Sequence, residues 1–224
     1  MSTPGPATTS TALDASTVIN RSNVTLRRVK SLRVTANITQ GGQTLRMTMR
    51  GSVSPENQIV SFDLGPKGKA EVLSVAENAF MVKDFLKGDE KYWIGIGASP
   101  NEAKSVAGRY VELSATRDAV FDKTTIRDFV NEASNPDPSD PDSINPETTT
   151  VSRTTRNGVP ALRLDDSSSG QVYFVTDDDD KRLLYATHPT QGEMEFSEWN
   201  AVPTFSAPPK SELVTPPEGV QIEL

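Results

Sequence analysis

"SLRVTANITQGGQTLRMTMR", residues 31–50, is where the apolar pattern of this chain changes its period. Val34, Ala36 and Ile38 alternate with polar neighbours, and beyond Gly41-Gly42 so do Leu45, Met47 and Met49. A period of two marks strands with one buried face, and a glycine pair between two such runs marks a turn, so the stretch predicts a β-hairpin. Upstream the period is 3.6. Val18, Ser22, Thr25, Val29 and Leu32, reinforced by Ile19 and Leu26, form the stripe of a helix that begins at Ala15. Asp14 or Ser16 can cap it, and Arg27, Arg28 and Lys30 sit near its end, where the helix dipole favours cations.

Downstream the strand pattern continues. "IVSFDL" sets Val60, Phe62 and Leu64 against Ser61 and Asp63. "EVLSVAENAFMVKD" predicts a tight hairpin about Glu77-Asn78, pairing Val75 with Phe80 and Leu73 with Val82. "KYWIGIG", residues 91–97, reads as another short strand bent at its glycines. Ser99-Pro100 then opens a helix, Tyr110–Leu113 is a short extended piece, and Ile126, Phe129, Val130 and Ala133 mark an amphipathic helix from Asp122 onward. The proline-rich acidic tract "NPDPSDPDSINPE", residues 135–147, can join neither a sheet nor a helix. It either divides two domains or loops out of one. The loop is favoured, because the strands after it are too few to bury a core unaided. Those strands form two further hairpins, one split by Asn157-Gly158 and one by Asp177–Asp180, followed by "EMEF" and a last short strand near Val202–Phe205.

Composition narrows the function. A net charge of −7 provides nothing to replace phosphate counterions, so nucleic acid is excluded as a partner. The chain has no run of 18 apolar residues and no cysteine, which removes thiolate chemistry, disulfides and cysteine-based metal sites. Residues 1–14 have the Ser/Thr/Pro/Ala composition of a disordered tether and no export signal of their own. They fit a tether that follows a removed signal, and equally the plain disordered start of a cytoplasmic protein. His188, the single histidine, lies in the turn-like "THPTQG" with no G-x-S-x-G elbow to serve. Asp177–Asp180 lacks the alternating ligands, the central glycine and the distal glutamate of a calcium loop, and reads as an acidic hairpin tip. Asn20, Asn23 and Asn37 begin N-x-[ST] triplets, which matter only in a host that glycosylates. No catalytic residue, metal site or cofactor is expected. The alternating positions leave two options, a dry core or an apolar cavity for a ligand.

The C-terminal third adds a resemblance. "NG-P" within "RNGVPALRL", "G-x-V-Y" at Gly170–Tyr173, and "F-S-E-W-N" at Phe196–Asn200 followed by "APP" resemble actinobacterial envelope lipoproteins of the LppX/LprG type, related in fold to the LolA/LolB carriers. The N-terminal half agrees in layout, with a helix running into "VKSLRV", a hairpin with "GG", and "GRYVEL" before an amphipathic helix. The resemblance implies an α+β domain over residues 15–215, with 216–224 a tail. Its sheet would be a single strongly curved antiparallel one, a half-open β-barrel with helices on its concave face. It also implies an acylated lipid or glycolipid held between sheet and helices, and attachment to the membrane through an N-terminal lipid anchor. The acylated cysteine of that family is missing here, and the 135–147 tract is foreign to it.

By period, the cavity wall is expected from Val34, Ala36, Ile38, Leu45, Met47, Met49, Val60, Phe62, Leu64, Leu73, Val75, Phe80 and Val82. Ile126, Phe129 and Val130 would cover it from the helix. Met194 and Phe196 would turn inward beside Val172 and Phe174, with Trp199 at the following turn. The resulting expectation is a noncatalytic lipid carrier of the cell envelope. The alternative is an interaction or sensor lipoprotein whose core is dry and whose loops contact an envelope protein partner.

Overall fold

Asp14 starts the first helix, its carboxylate accepting the backbone N–H of Thr17 at 2.9 Å. This helix, α1 (Ala15–Arg27), buries Ala15, Val18, Ser22 and Leu26, one face at i, i+3, i+7 and i+11. It ends sooner than the stripe suggests. Val29 and Leu32 join the core from the connection and from the first strand. The computed structural model describes residues 13–40, 43–53, 57–78, 81–113, 125–135, 143–217 and 220. Residues 1–12, most of the expected tether, the Gly41-Gly42 turn, Phe80 and 136–142 of the proline-rich tract lie outside them.

The strands are β1 (Ser31–Gln40), β2 (Gln43–Ser52), β3 (Asn57–Asp63), β4 (Lys69–Asn78), β5 (Met81–Gly88), β6 (Tyr110–Glu112), β7 (Thr149–Arg156), β8 (Val159–Asp166), β9 (Val172–Thr176), β10 (Leu183–His188), β11 (Gly192–Ser197) and β12 (Leu213–Val214). They form one 12-stranded sheet in the order β12-β6-β5-β4-β3-β2-β1-β11-β10-β9-β8-β7. Every pairing is antiparallel except β12 with β6. The strands on both sides of the proline-rich tract therefore belong to the same sheet, joined where β11 pairs with β1. The Asn157-Gly158 turn has φ of 50° and 78°, the left-handed conformations a two-residue hairpin requires.

Directly opposed residues share a face, and one apolar row crosses nine strands: Val151, Leu164, Tyr173, Ala186, Met194, Ala36, Met47, Phe62 and Ala70. The four described α-helices lie on that side. Alpha1 and α4 (Ile126–Ser134) pack Leu26, Ile126 and Val130 against Val34, Met49, Val60 and Phe196. Alpha2 (Glu90–Gly95) and α3 (Pro100–Val106) pack Trp93, Ala103 and Val106 against Val72, Leu86 and Val111. The architecture is α+β, and no described helix is long and apolar enough to cross a membrane.

Three local expectations are corrected. "KYWIGIG" is helical, not a strand. Asp89 caps α2 by accepting the Tyr92 N–H at 2.8 Å, and Trp93 is fully buried with its indole N–H donated to Gly88 O at 3.2 Å. Capping and the anchoring of one large ring override the β propensity of Tyr, Trp and Ile. The β4–β5 hairpin turns later than expected, with Asn78 opposite Met81, Ala76 opposite Val82 and Leu73 opposite Phe85. A bulge between Ala76 and Asn78 accommodates the shift. Residues 202–205 form no strand. The Asn57 side chain instead takes both backbone groups of Phe205, donating to its carbonyl at 2.8 Å and accepting its N–H at 2.6 Å. The strand that does close this end is β12, parallel to β6 with Leu213 opposite Tyr110.

Candidate functional site

Between the sheet and the α1–α4 pair lies an apolar cavity of about 580 Å³. Its walls come from elements 100 residues apart in the chain, so what holds them matters. At the N-terminal end of α4, the Thr125 hydroxyl accepts the Asp128 N–H at 3.0 Å, and Oε1 of the buried Gln58 side chain accepts the Ile126 N–H at 2.9 Å. These bonds fix the helix over β3. Its C-terminal end is tied to α1, where Arg27 Nη1 donates to Ser134 O at 2.8 Å and to Asn135 Oδ1 at 3.2 Å. Alpha1 is held in turn by the acidic hairpin tip. Arg21 Nε donates to Asp179 O at 3.2 Å, and the Thr25 hydroxyl donates to Asp180 O.

The tip is thus a structural clasp. Burial pushes the Asp178 carboxyl up, but the Thr176 hydroxyl and the Arg182 guanidinium, with the Lys181 N–H, outweigh it and hold the acid below its usual range. Asp166 anchors the strand-side end of the proline-rich tract in the same manner. Burial alone would push its carboxyl up, yet the hydroxyls of Thr148 and Ser168 and the N–H groups of Asn145 and Ser168 prevail, so it stays ionised well below the usual carboxylate range. His188 ends β10, with Nδ1 accepting the N–H groups of Thr190 and Gln191, each at 3.2 Å. Among the described residues no group of three or more His, Asp or Glu is placed to hold a metal ion.

Seven of the positions chosen by period line the cavity: Val34, Ala36, Ile38, Met47, Met49, Phe129 and Met194. Val60, Ile126, Val130 and Phe196 are buried in the core beside it, with the Phe129 and Phe196 rings 6.0 Å apart. Leu45 opposes Ile38 on the same face, and Phe62 packs against that core from β3. Leu64 packs instead against the α2–α3 cluster, and Val82 lies opposite Ala76 near the hairpin end.

Four positions face away. Leu73 and Val75 alternate with Val72 and Ser74 and so point to the helix-free side of the sheet. Val172 and Phe174 do the same. The Phe174 ring meets Tyr185 at 6.0 Å and lies under the Arg156 guanidinium, while Tyr173 and Val175 enter the cavity. "VYFV" is apolar at both parities, and a slip of one residue exchanges the faces, so only the pairing with β8 and β10 selects the inward pair.

Period reasoning also passed over Ile19, Ser22, Asn23, Leu26, Leu164, Leu183 and Ile144, which complete the wall. The apolar stripe of α1 was a usable signal for Ile19 and Leu26. Ile144 was the single aliphatic residue in its polar tract. A second cavity, of about 710 Å³, lies by the charged row of the other face, where Glu71 pairs with Lys87 and Asp63 with Lys69, both at 2.9 Å. Charged side chains, Arg46, Asp89 and Glu90 among them, share its walls with Phe62, Ala70 and Ala107.

No protein-family model matches the chain, and no curated protein matches it. Among solved structures, the crystal structure of LprF from Mycobacterium bovis superposes on 87% of this chain and 96% of that chain, with a TM-score of 0.50 and 11% sequence identity. At that identity the likeness is one of fold. The chain folds as LprF does.

Proposed function

We propose that this protein is a noncatalytic lipid-binding lipoprotein of the cell envelope, a carrier that holds an acylated lipid or glycolipid between its sheet and the α1–α4 pair. The observation that carries this reading is the cavity of about 580 Å³, walled by Ile38, Met47, Phe129, Tyr173 and Met194. Its size falls within the roughly 300–1,000 Å³ of small-molecule sites. A tightly packed interior would leave no such space. Methionines suit the role, since their flexible, polarizable side chains adapt to an irregular acyl surface. Burying a chain of about sixteen carbons gains roughly 12 kcal/mol gross at about 0.8 per methylene, before the cost of ordering chain and helices.

In this reading residues 15–215 form one domain whose sheet curls into a half-open barrel, concave toward the helices. In the same reading the segment before Leu13 is the tether to an N-terminal lipid anchor, since Leu13 packs against the core and Asp14 caps α1, and an envelope protein receives or supplies the cargo. Native mass spectrometry of the purified protein, followed by solvent extraction, tests it. Adducts of lipid mass that are lost on extraction and regained on incubation with lipid are the expected result. A protein that carries no lipid and takes none up would overturn the carrier reading and leave the dry-core interaction module.

A further inference from the structure

Two buried donors bond to nothing. The indole Nε1 of Trp199 and the Nε of Arg182 are shut away from solvent, and no acceptor reaches either of them. The tip of Arg182 does reach solvent, but its Nε does not. Trp93, the other tryptophan, shows the ordinary arrangement, with its indole N–H given to Gly88 O. A buried N–H without a partner is costly, because it has given up water and gained nothing in return. The backbone beside both donors is strained as well. Among the described residues four other than glycine have positive φ, and three of them flank these side chains: Lys181 at 53°, Glu198 at 53° and Asn200 at 56°. Such strain clusters where a functional group must be held in one place.

Arg182 and Trp199 line one cavity of about 200 Å³, whose other walls are Thr25, Arg28, Asp180 and Asn200. It lies where the C-terminal end of α1, the acidic hairpin tip and the turn after β11 come together, and it shares no lining residue with the apolar cavity. Two of its acceptors are already engaged. The Asp180 carbonyl takes the Thr25 hydroxyl, and Asn200 Oδ1 takes the Lys30 N–H at 2.7 Å. The unused groups are mostly donors: Trp199 Nε1, Arg182 Nε, and the guanidinium of Arg28, which bonds to no described residue. Two guanidinium groups face the single carboxylate of Asp180 in this wall, while Asp178 outside it engages Arg182 Nη2 at 3.1 Å. A surplus of donors with nearly balanced charge fits an acceptor that carries one negative charge and not two.

We infer that this cavity is a binding site for a small carboxylate, which accepts from Trp199 Nε1 and Arg182 Nε and takes its counter-charge from Arg28. The two oxygens of one carboxylate offer enough lone pairs to satisfy both donors at once. Bound there, the anion joins α1 to the hairpin tip and to the turn after β11. The site stands independently of what the apolar cavity holds.

The test is an NMR titration of the nitrogen-15-labelled full chain with sodium acetate, against sodium chloride at equal ionic strength. The chain has two tryptophans, so the indole N–H of Trp93 is an internal reference for that of Trp199. The Trp199 signal should move downfield and saturate with acetate, the Trp93 signal should stay, and chloride should move neither. R182K keeps the charge but removes the Nε donor, and it should bind acetate at least about tenfold more weakly, a difference of about 1.4 kcal/mol. R28Q should also weaken binding. K67Q, the same loss of charge at an exposed lysine between β3 and β4, should not. A Trp93 signal unmoved in each variant shows that the fold is intact. A Trp199 signal that answers chloride as it answers acetate, or answers neither, would overturn the site and leave both donors to water. R182K binding as tightly as the wild type would overturn it too. Tighter binding of inorganic phosphate than of acetate would overturn the carboxylate assignment.

Discussion

Replacing Phe129 by alanine separates a carrier from a dry core. Phe129 is half-buried, with its ring against Phe196 on one side and the cavity on the other. A fully packed Phe→Ala substitution costs about 3–5 kcal/mol, from lost transfer energy and the new void. Here the ring already borders an empty space, so about half of those contacts exist to be lost. The apo protein should lose about 2 kcal/mol. Ile126, fully buried one turn earlier on α4, is the internal control, and Ile126→Ala should cost about 2–5 kcal/mol. Lipid then distinguishes the two sites. Saturating ligand at about 100 times Kd stabilises the wild type by about 2.7 kcal/mol. If losing the ring weakens binding about tenfold, the variant gains about 1.4 kcal/mol less, and its deficit grows to about 3.4. The Ile126→Ala deficit should not change. Urea unfolding of the three proteins, delipidated and with a diacylglycerol, measures both quantities. A loss of the full 3–5 kcal/mol at Phe129 without lipid, unaltered by its addition, would refute the reasoning and indicate a closed, packed interior.

Other outcomes follow from the geometry elsewhere. Gly192 stands at φ +115°, and a Cβ there would lie 1.9 Å from Asn37 O, so Gly192→Ala should break the β11–β1 junction and cost upward of about 3 kcal/mol in chemical denaturation. Asp166→Asn should cost about 2 kcal/mol at neutral pH, because charge-assisted bonds from Thr148, Ser168 and Ser169 are weakened. Since the folded state depresses the titration of Asp166, its contribution is present in full above the unfolded acid's range and is lost progressively as pH falls from there through the lower folded-state range. Wild-type stability should decline from about pH 5 downward, and the asparagine variant should show a flatter profile. Asn57→Ala should release the C-terminal segment held at Phe205, raising amide exchange over 205–214 by an amount corresponding to about 1–3 kcal/mol while leaving the β1–β2 hairpin protected.

Much of the architecture was legible in local pattern. The change of period at Ser31, the Asn157-Gly158 turn and the capping signal at Ser99-Pro100 are each short-range physics, and each appears where its residues require it. The cavity positions on β1 and β2 were legible for the same reason. Those strands alternate cleanly between apolar and polar residues, so only one face can be buried. What remained undetermined was decided by partners distant in sequence. "VYFV" is apolar on both faces, and nothing within it distinguishes Tyr173 from Phe174 until β8 and β10 pair with it. "KYWIGIG" has strand composition but becomes a helix, because Asp89 supplies a cap and the Trp93 pocket is assembled from β4, β5 and α3. Phe205 needs no neighbouring strand, because an asparagine 148 residues earlier satisfies its backbone. The chain by itself determined which segments alternate and where they turn, since those properties depend on neighbours within a few residues. The register, the inward face of β9 and the void between α1, α4 and the sheet arose only in the tertiary structure, because they depend on which surfaces meet.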